Sequence, residues 1–131
     1  MRLRFDKIAS STKNADLQNW VVIGKDVRAE AGAIIAVRVL DEKAVYNKLE
    51  DVNGRMMTVH RGDIIAGVLG ERRALRGYSG VIPDVVREGD VLHLLNLGGV
   101  IGQCTSANPE VGPPARVQVL GSVLRFPQLG R

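Results

Sequence analysis

The chain has 131 residues, of which 45% are hydrophobic. That content is enough for one compact core but small for two, so we expect a single domain spanning residues 1–131. Its 18 Lys and Arg residues exceed its 14 Asp and Glu residues and give a net charge of +4. This mild excess fits solubility alone as well as an anionic partner. Aromatic residues make up only 4%, whereas nucleic-acid modules usually combine basic charge with stacking aromatics.

Targeting and redox signals are weak. The opening segment MRLRFDKIASSTK interrupts every apolar run with charge, and no apolar run approaches the length of about 18 residues that a spanning helix needs. Cys104 is the single cysteine, which excludes an internal disulfide and a cysteine-based zinc site in one chain. We therefore expect a cytoplasmic protein that does not enter a membrane.

The first half of the chain predicts short strands. Residues 20–24 and 32–40 are rich in β-branched side chains and too short for ordinary helices, so both are predicted strands. Residues 41–49 are predicted to form a short helix or a loop. Asn53 and Gly54 are a strong hairpin signal and predict a turn between two paired strands.

A glycine-led pattern occurs three times, in AEAGAIIAVRVL, HRGDIIAGVLG and REGDVLHLLNLGG, around Gly32, Gly62 and Gly89. Glycine tolerates positive φ at a turn, and in each copy an aliphatic run follows at once. The pattern predicts three turns that each lead into a strand. Arg61, Gly62 and Asp63 spell an adhesion signal, but they belong to the second copy, so we interpret them as a turn.

The second half continues in the same way. We expect short helical turns at residues 71–76 and 83–88 and a loop at 108–114, where adjacent prolines cannot donate to a sheet. The remaining predicted strands cover residues 91–97, 98–106 and 115–126. Residues 124–131 resemble a linker, which suggests a domain cut from a longer chain.

Many short strands with glycine turns, and no pair of long amphipathic helices, predict an all-β (mainly β) fold. We expect a small closed or partly open β-barrel, made of pseudo-repeated Gly-Asp-led strand units with only short helical turns. The 15 glycines favour a barrel over a sandwich, because tightly coiled strands need glycine at corners and bulges. The pattern occurs in many unrelated barrels and indicates no particular family.

Motifs for cofactors are missing. The segment LNLGGVIG imitates a dinucleotide fingerprint, but Leu97 stands where its first glycine is required, and no phosphate-binding loop is present. His60 and His93 form no metal-ligand spacing with Cys104 or with carboxylates. We therefore predict no cofactor and no metal, and structural or surface roles for both histidines.

The segment GERRALRGYSG carries the predicted binding residues, which are Arg72, Arg73, Arg76 and Tyr78. Guanidinium groups bind phosphates and carboxylates bidentately, and a tyrosine stacks on a base or fills a partner's pocket. The alternative is a solvated loop whose arginine stems cover apolar surface.

Cys104 is a weak catalytic candidate because it is followed by Thr105 and Ser106 where a strand leads into the proline loop. A nucleophilic cysteine needs a neighbour that lowers its pKa, and the sequence shows none. The alternative is a buried thiol that acts as a small hydrophobe.

Three functions remain open. The sequence favours a non-catalytic barrel module that packs on another protein domain or on a second copy of itself, since its apolar content is high and no catalytic constellation is evident. The first alternative is a nucleic-acid, nucleotide or other anion-binding barrel that uses the Arg72–Arg76 loop. The second is an enzyme subunit with a site near Cys104.

Overall fold

A computed structural model describes residues 2–15, 17–43, 47–74 and 77–124. Within these ranges the chain is predominantly β, which confirms the predicted all-β class. The strands are β1 Arg2–Arg4, β2 Lys7–Ile8, β3 Trp20–Gly24, β4 Ile34–Val39, β5 Lys48–Glu50, β6 Met56–Thr58, β7 Ile64–Leu69, β8 Tyr78–Val81, β9 Val91–Leu94, β10 Val100–Ala107 and β11 Arg116–Val123. Two short 3-10 helices span Ser10–Ala15 and Pro109–Val111.

Five strands pair in an order that returns to its starting point. Strand β4 is antiparallel to β7 and to β11, and β9 is antiparallel to β10 and to β11. A parallel pairing of β7 with β10 completes the ring. Strand β8 extends the ring from β10, and β3 with β1 extends it from β11.

The main core lies against one face of these strands. Alternate residues of a strand point to the same side, and accordingly Ile35, Val37 and Val39 of β4 are buried together with Val117 and Val119 of β11. Tight burial of β-branched side chains on facing strands explains why these segments form strands.

A second apolar cluster covers the opposite face of β4 and β7. Strands β1 and β3 supply part of it, and its buried members are Leu3, Phe5, Ile23, Ala36, Ala66 and Val123. The two adjacent aliphatic residues that follow the glycine are therefore buried differently in the second and third copies of the pattern. Ile65 enters the main core while Ile64 packs on the second cluster, whereas Leu92 is buried and Val91 is 49% exposed.

The three glycine-led turns share one pattern of hydrogen bonds. Gly32, Gly62 and Gly89 have φ values of 89°, 90° and 91°. In each turn the glycine N–H donates to the carbonyl of one residue in a neighbouring strand, and the N–H of that same residue donates to the carbonyl after the glycine. The strand residues are Leu69, Val39 and Val119 respectively. The Arg61-Gly62-Asp63 segment thus lies in a structural turn, as predicted.

The predicted hairpin at Asn53 and Gly54 is confirmed, because β5 pairs antiparallel with β6 across it. The helical turns predicted at 71–76 and 83–88 are wrong wherever the structure describes them, and of the helix or loop expected at 41–49 the described residues 41–43 and 47 form a loop. Residues 48–50 form β5, and Arg72 bridges Gly80. Pairing with distant strands overrode the local preference for helix. Residues 44–46, 75–76 and 125–131 lie outside the described residues.

In the described part of the chain, no helix combines the length and the apolar content needed to span a membrane.

Candidate functional site

A cleft of about 670 Å³ lies between the segment that follows β4 and the loop that joins β10 to β11. This volume is within the range of about 300 to 1,000 Å³ that is usual for ligand pockets. The residues that line it are Asp41, Glu42, Lys43, His93, Pro109, Glu110, Val111, Gly112, Pro113, Pro114 and Arg116.

An ion pair between Asp41 and Arg116 lines one part of the cleft. Arg116 begins β11, and Asp41 follows the neighbouring strand β4, so the sheet brings the two side chains together. Arg116 Nη2 donates to Asp41 Oδ1 at 2.9 Å and Nε donates to Oδ2 at 3.1 Å. The backbone N–H of Arg116 also donates to Oδ2, at 2.9 Å. The side-chain hydrogen bond from Arg116 is the largest cause that lowers the pKa of Asp41 from 3.8 to about 2.

The Asp41→Asn variant should be less stable than the wild type by up to about 1 kcal/mol near neutral pH, because solvent screens an ion pair whose arginine is exposed. Because folding lowers this pKa from 3.8 to about 2, the stabilisation is present above pH 3.8 and is lost as the pH falls toward 2. Urea denaturation of both proteins across this pH range measures the difference.

The matched control is Glu110→Gln, which removes an exposed carboxylate from the same cleft. It should change the free energy of unfolding little at any pH. An Asp41→Asn deficit that persists undiminished near pH 2 would contradict the assigned role of the ion pair.

Lys43 ties the proline loop to the strand ring. Its ammonium donates to the carbonyl oxygens of Pro113 at 2.5 Å and Val111 at 3.2 Å, and to the hydroxyl of Tyr78 at 3.2 Å. The Tyr78 hydroxyl lies 3.1 Å from the Val111 carbonyl, which can accept its proton. Tyr78 is only 1% exposed, and burial lowers the pKa of Lys43. These contacts fix one wall of the cleft before any ligand binds.

His93 contributes a neutral imidazole. It lies on β9 directly opposite Arg116, and its Nδ1 accepts a hydrogen bond from the backbone N–H of Cys104 at 3.1 Å. The neutral ring therefore carries its proton on Nε2. Burial, and then the charge of Arg116, lower the pKa of His93. At neutral pH the ring thus offers a hydrogen-bond donor without a positive charge.

Acidic side chains and prolines complete the lining. Glu42 Oε1 accepts from the backbone N–H of Arg61 at 3.0 Å and lies 3.4 Å from His60 Nδ1. Glu110 is exposed on the loop, and Pro109, Pro113 and Pro114 provide rigid apolar surface. The cleft therefore presents donors, acceptors and apolar wall together.

Sequence reasoning did not single out Asp41, Lys43, Glu110 or Arg116. The Asp41 and Arg116 side chains are 75 positions apart, and no motif connects them. The one local signal is the run of prolines at 108–114, which predicts a loop but not that the loop forms the wall of a cleft.

The structure does not place Tyr78 in one site with the predicted arginines. Arg72 and Arg73 lie in an extended segment beside β8 and line a separate cavity of about 230 Å³. Tyr78 does not line that cavity, since its ring is buried and its hydroxyl contacts the proline loop. Arg76 lies outside the described residues. Binding of an anion at Arg72 and Arg73 stays a prediction.

Cys104 has an environment that favours the thiol. Its Sγ donates to the carbonyl of Ser106 at 3.4 Å, and burial is the main cause that raises its pKa. His93 contacts the backbone N–H of Cys104, and this contact holds the imidazole without activating the sulfur. Across the described ranges, no group of three or more His, Cys, Asp and Glu side chains could hold a metal ion.

Comparison with protein-family models, with curated proteins and with solved structures found no match.

Proposed function

We propose that the protein is a non-catalytic binding module whose cleft holds an extended segment of a partner polypeptide. The observation that carries this proposal is the anchoring of the proline loop by Lys43 and Tyr78, which shapes the cleft in the free protein. A wall that is ordered in advance reduces the entropy lost on binding, and this raises affinity without additional contacts.

The polarity of the lining suits a peptide. A peptide backbone offers both N–H donors and carbonyl acceptors. Nε2–H of His93 is available to a carbonyl, and the Glu110 carboxylate and the second carboxylate oxygen of Glu42 are available to N–H groups. The prolines and Val111 supply apolar contact for the side chains of the peptide.

The charges of the cleft largely compensate one another. Asp41 and Arg116 form an ion pair, Lys43 and Glu110 contribute one charge of each sign, and Glu42 leaves a single excess negative charge. We therefore expect the affinity for a neutral peptide to depend weakly on salt, in contrast to the steep salt dependence of binding to a polyanion.

We further propose that the ring of five strands is a small β-barrel built from repeated turn-and-strand units. The closed order of pairing and the shared hydrogen bonds around Gly32, Gly62 and Gly89 support this proposal. A superposition in which residues 60–68 and 87–95 follow unrelated backbone paths would refute the repeat. We assign the module to the cytoplasm, since its single cysteine needs no oxidising compartment.

Val111→Trp should weaken peptide binding about tenfold or more, because the indole fills the cleft while the backbone carbonyl that anchors the loop is kept. The probes are acetylated and amidated tripeptides with apolar, acidic or basic side chains. Nuclear magnetic resonance titration of the labelled protein should show saturable shifts at His93 and at residues 109–116, strongest for the apolar tripeptide.

The matched control is Val85→Trp, which places the same side chain at a position that is 55% exposed and outside the cleft. Equal losses in the two variants, or shifts scattered over the surface, would contradict the proposal. Sedimentation velocity over a wide concentration range then tests whether the partner is a second copy, since Val111→Trp should abolish any self-association that uses the cleft.

A further inference from the structure

A second cavity lies on the edge of the sheet, where the segment that contains Arg72 pairs with β8. Arg72 N–H donates to the Gly80 carbonyl at 3.0 Å, and Gly80 N–H donates to the Arg72 carbonyl at 2.9 Å. The hydroxyl of Ser79 accepts from the N–H of Ala74 at 2.9 Å. These bonds hold residues 71–74 extended along the strand, so the arginines of this segment project from a fixed backbone.

The lining of this cavity is basic. Its volume is about 230 Å³, and its lining residues are Glu71, Arg72, Arg73, Ser79, Gly80, Val81 and Thr105. None of the ion pairs found among the described residues involves Arg72 or Arg73. Two guanidinium groups thus face one lining carboxylate, that of Glu71, and leave a local excess of positive charge.

Arg72 is oriented by the fold. Its Nη1 donates to the carbonyl of Leu95 at 3.1 Å, and this contact holds the planar guanidinium group in place. The other N–H donors of the guanidinium take no part in this bond. Arg73 is exposed and lines the same cavity. A planar fork of N–H donors matches the geometry of a phosphate or a similar oxyanion.

A β-bulge places a hydroxyl at the same cavity. Strand β10 pairs Cys104 with Gly80 and Ser106 with Ser79, so Thr105 between them is the extra residue. Bulges change the direction of a side chain and occur often beside functional sites. Thr105 lines the cavity, which adds a neutral hydrogen-bonding residue to the same lining as the arginines.

We propose that this cavity binds a phosphate group, with Arg72, Arg73 and Thr105 as its donors. The phosphate belongs either to a small phosphorylated molecule or to a nucleic-acid backbone, which share the same chemistry. The site is separate from the proline-walled cleft, so Val111→Trp should leave phosphate binding unchanged even if peptide binding in the cleft proves absent.

The test is a titration of the whole protein with inorganic phosphate at low ionic strength, followed by nuclear magnetic resonance. We expect saturable shifts at residues 71–74, at 79–81 and at Thr105. Arg73→Ala should weaken binding about tenfold, and Thr105→Val should weaken it about threefold, as expected for lost bonds to a charged group. Arg73→Lys keeps the charge but loses the fork, and should also weaken binding.

Matched controls are Arg55→Ala, which removes an exposed arginine from the hairpin, and Ser106→Ala, which removes a neighbouring hydroxyl. Both should bind phosphate as the wild type does. Arg72 is left intact, since its contact with Leu95 also supports the fold. Absence of saturable phosphate binding, or equal losses in the controls, would overturn the proposal.

Two further arms identify the source of the phosphate. Displacement of bound phosphate by an oligothymidylate, with affinity that falls steeply as salt is added, assigns the site to a nucleic-acid backbone. Binding of glycerol 3-phosphate without displacement by the oligonucleotide assigns it to a small phosphorylated molecule. Either result supports the phosphate site.

Discussion

Gly99→Ala should destabilise the protein by about 3 to 5 kcal/mol or prevent folding, which is the largest effect expected of any single substitution proposed for this chain. Gly99 has a φ of 87°, which side chains rarely adopt, and a Cβ atom there would overlap Cβ of Ala9. Ala9 is fully buried, so neither backbone can withdraw without disturbing the core. Urea denaturation followed by circular dichroism measures the loss.

Gly89→Ala separates the cost of the left-handed backbone from the cost of the overlap with Ala9. Gly89 has almost the same φ, 91°, but no atom lies within 4 Å of the Cβ position. This variant should therefore lose only the cost of a left-handed backbone, about 1 to 2 kcal/mol. If both variants lose the same free energy, the close approach of Gly99 to Ala9 does not contribute and our account of this position is wrong.

Lys43→Met should destabilise the protein by about 2 to 3 kcal/mol, because the Val111 and Pro113 carbonyls and the buried Tyr78 hydroxyl all lose the ammonium group at once. Tyr78→Phe should cost about 1 to 2 kcal/mol, since it removes only the hydroxyl from the same network. The double variant should lose less than the sum of the two, because the direct hydrogen bond from Lys43 to the Tyr78 hydroxyl is already lost in either single variant.

Hydrogen exchange provides the second readout of this double-mutant cycle. The amides of Glu110, Val111 and Gly112, the loop residues that are not proline, should exchange faster in Lys43→Met than in the wild type, while amides of β4 and β7 should be affected much less. Strictly additive losses, or loop amides that are protected as in the wild type, would show that Lys43 and Tyr78 do not act together on the loop. Peptide binding in the cleft should weaken together with the protection of the loop.

Local features of the fold could be predicted from the sequence. The hairpin at Asn53 and Gly54 and the turns at Gly32, Gly62 and Gly89 depend on backbone conformations that few residues other than glycine adopt. Short β-branched runs predicted the strands that became β3, β4 and β11. The N-terminal strands β1 and β2 were not predicted, because each is very short and is stabilised by its partner strand.

The arginine segment shows where local preference fails. Residues 71–76 have good helix formers, and an isolated segment of this kind favours a helical turn. Instead Arg72 exchanges two backbone hydrogen bonds with Gly80. Tyr78, which was grouped with these arginines because it is near in sequence, points away from their cavity and is buried.

The sequence by itself determined the all-β class and the positions of the glycine turns, because both depend on residues that are adjacent or nearly adjacent in the chain. Only the tertiary structure decided the cleft. Asp41 and Arg116 meet because β4 pairs with β11, and the same pairing brings Lys43, just after β4, to the proline loop that precedes β11. Contacts between distant segments depend on strand order and register, and these are set by how the whole core packs rather than by any one stretch of residues.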